Sequence, residues 1–208
     1  MKVLLINGSP KKAGCTYTAL KTVAEALEKN GIYTEIFHVG TAPIKGCMGC
    51  GSCSRTGSHQ CITTQDTVNE AIMKAKEADG IVVGSPVHYA AASGDITSFL
   101  DRLFYAGYPM AGKVGAAVVS CRRGGATAAL DQLNKYFTIA QMPVVSSNYW
   151  NMVHGNTPEE VLRDEEGIQT MQLLGENMAW LLKCIEAGRN AGINFPEAQP
   201  KIKTNFIR

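Results

Sequence analysis

The sequence predicts a doubly wound α/β fold, a parallel sheet covered by helices on both faces. Three observations carry that reading. Five short apolar runs of strand length alternate with five stretches of helical period, and glycine or proline turns separate them. Consecutive parallel strands need a crossover, and helices of this length supply it.

Val3 to Ile6 forms the first strand, ended by Asn7-Gly8-Ser9-Pro10. Helical spacing follows at Leu20, Val23, Ala24 and Leu27, with Thr16 as the expected cap. Asn30-Gly31 stops that helix, and the alternation from Tyr33 to Val39 gives the second strand. Thr41 to Thr64 has neither period and carries four cysteines, so it is read as a long loop, a class that is usually functional or disordered. Val68, Ile72 and Ala75 restore helical spacing, with Thr64 or Asp66 as cap, up to Asp79-Gly80. Ile81 to Val83 is the third strand, broken at Gly84-Ser85-Pro86. The next helix runs through Ile96, Phe99, Leu100 and Leu103 and is closed by Gly107 and Pro109.

Lys113 to Ser120 gives the fourth strand, and the Cys121 to Gly125 turn opens a helix over 126–139. Pro143 to Ser147 is the expected fifth strand, and 149–160 reads as irregular. Ile168, Met171, Leu174, Met178, Leu181 and Ile185 define one long amphipathic helix over 164–188. The fold unit thus spans 1–190, with the Cys-rich loop at 41–64. A tail at 191–208, rich in Pro and Lys, is expected on the surface or on a partner subunit. Five strands in 208 residues suit the flavodoxin-like order 2-1-3-4-5, whose crevice opens at the strand carboxyl ends between the first and third strands.

Hydrophobic residues make up 45% and charged residues 18%, ordinary for a globular chain with a full core. The net charge of +2 arises from 20 basic and 18 acidic residues without long runs, so no nucleic-acid partner is expected. No apolar run reaches the ~18 residues of a membrane span, and Met1 leads directly into a strand pattern without a secretion signal. A cytoplasmic location is therefore expected, where thiols stay reduced and the seven cysteines need a role other than disulfides.

The stretch Ser9 to Thr18 reads as a phosphate cradle. Helix amino ends carry unpaired N–H groups and a positive dipole end, to which Ser9, Thr16, Thr18, Lys11 and Lys12 add donors and charge. An ordinary capped helix is the alternative reading. The loop Ser85-Pro86-Val87-His88-Tyr89 can lie along a planar heterocycle or be an ordinary strand-to-helix turn; Ser120 to Gly125 faces the same edge, with Arg122 or Arg123 either near such a ring or solvated at the surface.

Gly8-Ser9-Pro10 with Thr16, the stretch Gly84 to Tyr89, Asp101-Arg102 and Arg123-Gly124-Gly125 together resemble the NADPH-dependent FMN reductase branch of the flavodoxin superfamily. The resemblance implies FMN held by its phosphate at Ser9, Lys11, Cys15, Thr16 and Thr18. Its ring would lie along Pro86, Val87, His88 and Tyr89, with Ser120, Arg123, Gly124 and Gly125 on the far side. Cys15 departs from the related pattern, which usually has asparagine there.

Cys47-x2-Cys50-x2-Cys53-x7-Cys61 further resembles the compact cysteine motif of the iron-sulfur flavoproteins. Four thiolates on a glycine-rich loop can wrap a [4Fe-4S] cluster; zinc and free thiols remain open as readings. The loop follows the second strand and so leaves the sheet edge expected to hold the flavin. Cys184, within the long helix, reads as a core residue, and Cys121 as structural or incidental. No metalloprotease, nucleophile-elbow or paired-carboxylate signature argues hydrolysis.

The resemblance implies an FMN-dependent oxidoreductase carrying electrons from NAD(P)H to a quinone, flavin or other small acceptor. The alternative is an iron-sulfur flavoprotein relaying single electrons between FMN, the cluster and protein partners. A homodimer or homotetramer is expected. His88 and Tyr89 are expected to position the ring rather than transfer protons, so no catalytic residue is assigned.

Overall fold

A computed structural model describes residues 1–106, 109–200, 202–204 and 206. The elements run β1 (Lys2–Asn7), α1 (Cys15–Lys29), β2 (Tyr33–His38), α2 (Ser52–Arg55), α3 (Val68–Glu77), β3 (Gly80–His88), β4 (Ala91–Ala92) and α4 (Gly94–Tyr105). They continue with β5 (Val114–Cys121), α5 (Ala126–Ile139), β6 (Met152–His154), α6 (Pro158–Val161) and α7 (Glu165–Asn190).

The main sheet has the order β2-β1-β3-β5-β6, all parallel, while β4 is a short antiparallel partner of β3. This is the expected flavodoxin-like order, with β5 and β6 taking the fourth and fifth places in the sheet. Strand alternation divides the core. Leu4 and Ile6 face α3, α4 and α5 through Ile72, Phe99, Leu100 and Phe137. Val3 and Leu5 face α1 and α7 through Leu20, Val23, Leu174 and Met178.

Four local expectations are corrected. Pro143 to Ser147 forms only an isolated bridge, at Val144 with Gly115, and the ladder resumes after a bulge as β6, at Met152 beside Val119. The Ser147 hydroxyl, within 2.7 Å of Tyr149 O and 2.8 Å of Asn151 Oδ1, donates its one proton to either and accepts from Tyr149 N, folding that bulge back on itself. Second, β3 does not break at Gly84. It pairs with β5 through Pro86 and turns over only at Tyr89 and Ala90, both at positive φ. Third, Thr16 lies inside α1, whose cap is Gly14. Fourth, Cys184, expected in the core, stands on the exposed face of α7. Gly107, one of the two residues expected to close α4, lies outside the described residues.

Two contacts fasten the periphery. Asp164 caps α7 by accepting from Gly167 N at 3.0 Å, and it also accepts from His154 N at 2.7 Å, joining the helix to β6. Glu35 on β2 receives Lys74 of α3 at 2.6 Å and Lys2 of β1 at 2.9 Å. Those hydrogen bonds, Lys74 first and then Lys2, hold the Glu35 carboxyl below its ordinary range. No described helix is long and apolar enough to cross a membrane.

Candidate functional site

Parallel strands send their carboxyl ends to one edge, so the loops after β1, β3 and β5 meet there. The first is drawn tight by its own polar groups. Ser9 N donates to Asn7 Oδ1 at 3.1 Å, Lys11 N donates to Ser9 Oγ at 3.1 Å, and His38 Nε2 donates to the Ser9 carbonyl at 2.8 Å. The carbonyl can only accept, so the Nε2 nitrogen of His38 carries the proton. Gly8 N donates to Gly84 O at 2.9 Å, and a Cβ on Gly8 would lie 2.6 Å from Ile96, so the first loop packs this closely on α4 because the residue is glycine.

The second loop is joined to the first through α4. Ser93 N donates to Ser85 Oγ at 3.0 Å, and Ser93 Oγ donates to Gly8 O at 3.1 Å. The third is joined by the hydrogen bond between Thr16 Oγ1 and Ser120 Oγ, at 2.8 Å. Gly125, at φ +89, seats the third loop on the β3–β4 hairpin, where a Cβ would fall 2.6 Å from Ala90 Cα. The structure therefore brings together Ser9, Thr16, Ser120, Val87 and Gly125.

Lys11, Arg123 and Gly124 stand exposed on the rim, and His88 and Tyr89 reach outward at the hairpin tip. Pro86 and Val87 lie half-buried behind them. Thr18 Oγ1 donates to Gly14 O at 3.2 Å. Burial pushes the Cys15 thiol above its ordinary value, and its Sγ donates to Gly155 O at 3.7 Å. No side chain caps the first turn of α1. An anion placed there would satisfy amides that no side-chain cap serves, which fits a phosphate monoester.

The cysteine loop leaves the same edge and then folds down along α4. Cys47, Cys50, Cys53 and Cys61 all line one cavity, whose wall includes Arg102 and Tyr105. α4 starts beside the cradle, and the cysteine loop packs along it from Gly46 beside Ser98 to Cys53, whose Sγ donates to the Tyr105 carbonyl at 3.6 Å. Cys47 and Cys50 are exposed, whereas Cys61 is fixed: its N–H donates to Asn69 Oδ1 and its carbonyl accepts from Asn69 Nδ2, both at 2.8 Å.

Arg102 is 2% exposed and fully engaged. Its guanidinium forms an ion pair with the buried Asp66 and donates to Cys61 Sγ at 3.2 Å, Thr63 O at 2.8 Å and Lys45 O at 3.2 Å. Burial opposes ionisation of the Cys61 thiol, yet hydrogen bonds at Thr63 and from Arg102 outweigh it and hold the thiol below its ordinary value. Four thiols on one cavity fit an iron-sulfur cluster chemically. Among the described residues no three ligand-type side chains are gathered around one point for a single ion, while a cubane takes one thiolate per iron and lets its ligands stand apart.

The cysteine spacing marks the four thiols but not the residues that place them. Asn69, Asp66 and the clamping role of Arg102 join positions tens of residues apart. The one local signal is a charged residue three positions after Phe99, bordering the apolar stripe of α4.

The fold is flavodoxin-like with an anion cradle at its sheet edge, and comparison with known proteins makes the chain a flavin-binding oxidoreductase. Residues 1–157 match the NADPH-dependent FMN reductase family, and the chain belongs to it. It is 33% identical over 195 residues to an iron-sulfur flavoprotein of Methanocaldococcus jannaschii, covering 89% of this chain and 100% of that one. An iron-sulfur flavoprotein of Archaeoglobus fulgidus is 32% identical over 177 residues, 83% of this chain and 86% of its own. A flavodoxin from the domain Archaea superposes with a TM-score of 0.61 at 17% identity, over 88% of this chain and 99% of that one, a likeness of fold.

Proposed function

We propose that this chain is an iron-sulfur flavoprotein that relays single electrons between FMN, a [4Fe-4S] cluster and protein partners. The observation that carries the reading is the convergence of Cys47, Cys50, Cys53 and Cys61 on one cavity, in a chain whose sheet edge also builds an anion cradle. The shared description of its curated relatives as iron-sulfur flavoproteins supports it. When bound, FMN supplies one- and two-electron chemistry and a cluster supplies one-electron chemistry.

The chain's own residues do the rest. The first amides of α1, with Ser9, Lys11, Cys15, Thr16 and Thr18, hold the phosphate. Pro86, Val87, His88 and Tyr89 line one side of the ring, while Ser120, Arg123, Gly124 and Gly125 bank the other. The four thiolates hold the cluster, with the Cys loop anchored at Cys61.

The second reading is a reductase that carries electrons from NAD(P)H to a quinone, free flavin or similar acceptor; membership of the FMN reductase family favours it. Protein purified without oxygen separates the two. The relay reading expects FMN together with about four irons and four acid-labile sulfides per chain. FMN without iron or sulfide, with rapid bleaching by NADPH, overturns it in favour of the reductase.

A further inference from the structure

The Cys-rich loop has two ends, and one side chain from outside it holds both. Arg102 of α4 donates to Lys45 O, two residues before Cys47, and to Thr63 O, two residues after Cys61. The same guanidinium pairs with Asp66 and turns its Nε–H onto Cys61 Sγ at 3.2 Å. With 2% exposure, the Arg102 side chain itself is shielded from bulk water. A guanidinium is suited to the task because its donors lie in a rigid plane, whereas an ammonium on a flexible stem cannot hold four acceptors in fixed directions.

We propose that Arg102 is the positioning and potential-setting residue of the cluster site: it closes the loop at both ends and donates a hydrogen bond to the sulfur of Cys61. The proposal rests on the cluster reading given above. Reduction adds one electron, and hence one negative charge, to the cluster and its thiolates. A donor aimed at a ligand sulfur stabilises that added charge, so it favours the reduced form and raises the potential. Asp66 moderates the effect. Its carboxylate orients the guanidinium and offsets most of its positive charge, so the sulfur meets mainly a directed N–H. The two residues therefore act on the cluster with opposite signs.

The test uses the full chain, loaded with FMN and reconstituted anaerobically with iron and sulfide, and a redox titration followed by the electron paramagnetic resonance of the reduced cluster. R102Q is expected to lower the equilibrium constant for one-electron reduction about tenfold, a shift of about 59 mV to more negative potential. R102K is expected to fall between R102Q and the wild type, and D66N to move the potential in the positive direction. FMN affinity stays at the wild-type value in all three, because none of them touches the cradle. A residue that merely filled space would not shift the potential in opposite directions in R102Q and D66N. If R102Q retains no cluster, R102K and D66N decide on the same criterion. Wild-type potentials in the loaded variants overturn the proposal alone. A wild-type chain that takes up neither iron nor sulfide overturns the cluster reading and the proposal with it.

Discussion

Thr16 Oγ1 and Ser120 Oγ share a buried hydrogen bond of 2.8 Å, linking the first turn of α1 to β5 across the sheet edge. Both residues are almost fully buried, so removing one hydroxyl strands the other. T16A is expected to destabilise the fold by about 1–3 kcal/mol. Urea unfolding monitored by circular dichroism measures it, and an unchanged midpoint would show that water replaces the lost partner.

Gly125 lies at φ +89 with the backbone of Ala90 where its side chain would go. In G125A strain and clash act together, and the substitution is expected to cost more than about 1 kcal/mol. The hairpin must shift, so FMN binding should weaken along with the melting temperature. Wild-type affinity in G125A, measured by quenching of FMN fluorescence, would mean that the hairpin does not shape the flavin cleft.

Asp164 serves two N–H groups, Gly167 at the start of α7 and His154 at the end of β6. D164A removes a helix cap and is expected to cost about 1 kcal/mol, with D164N losing less because its amide oxygen still accepts. Thermal melting of the two variants gives the order, and equal melting would dismiss the cap.

Glu35, held below its ordinary pKa by Lys74 and Lys2, makes a pH-dependent contribution to stability. A depressed carboxyl stabilises the folded state above its unfolded pKa, near 4.5, and loses that contribution as pH falls through the lower folded value. E35Q should therefore be about 0.5–1 kcal/mol less stable than the wild type at pH 7. The gap should close as the solution becomes more acidic than the folded-state pKa. Denaturant titrations at neutral and acidic pH check this, and a gap that persists or widens in acid would contradict it.

The sheet was legible because its signals are local. Val3 and Leu5 alternate with Leu4 and Ile6, and the run through Phe99, Leu100 and Leu103 repeats at helical spacing, so each element announced its own buried face. The fifth strand was displaced because Pro143 to Ser147 has strand composition, whereas its ladder hydrogen bonds extend only around Gly115 before the Ser147 bulge. Residue type makes Thr16 a cap candidate, but its hydroxyl is taken by Ser120, a partner 104 residues away. The cradle loops could be placed because topology sends them to one edge. The anchoring of Cys61 could not, since Asn69 and Arg102 reach it only after α3 and α4 have packed.

Ser93 has a consequence for how the cleft responds to a ligand. Its backbone N–H and hydroxyl stitch Ser85 to Gly8, so the floors of two loops from different strands are already bound to each other. A cleft sewn at its base has little conformational freedom left to surrender when it fills, so more of the contact energy appears as affinity. Cutting that stitch with S93A should be felt as faster ligand escape rather than slower capture.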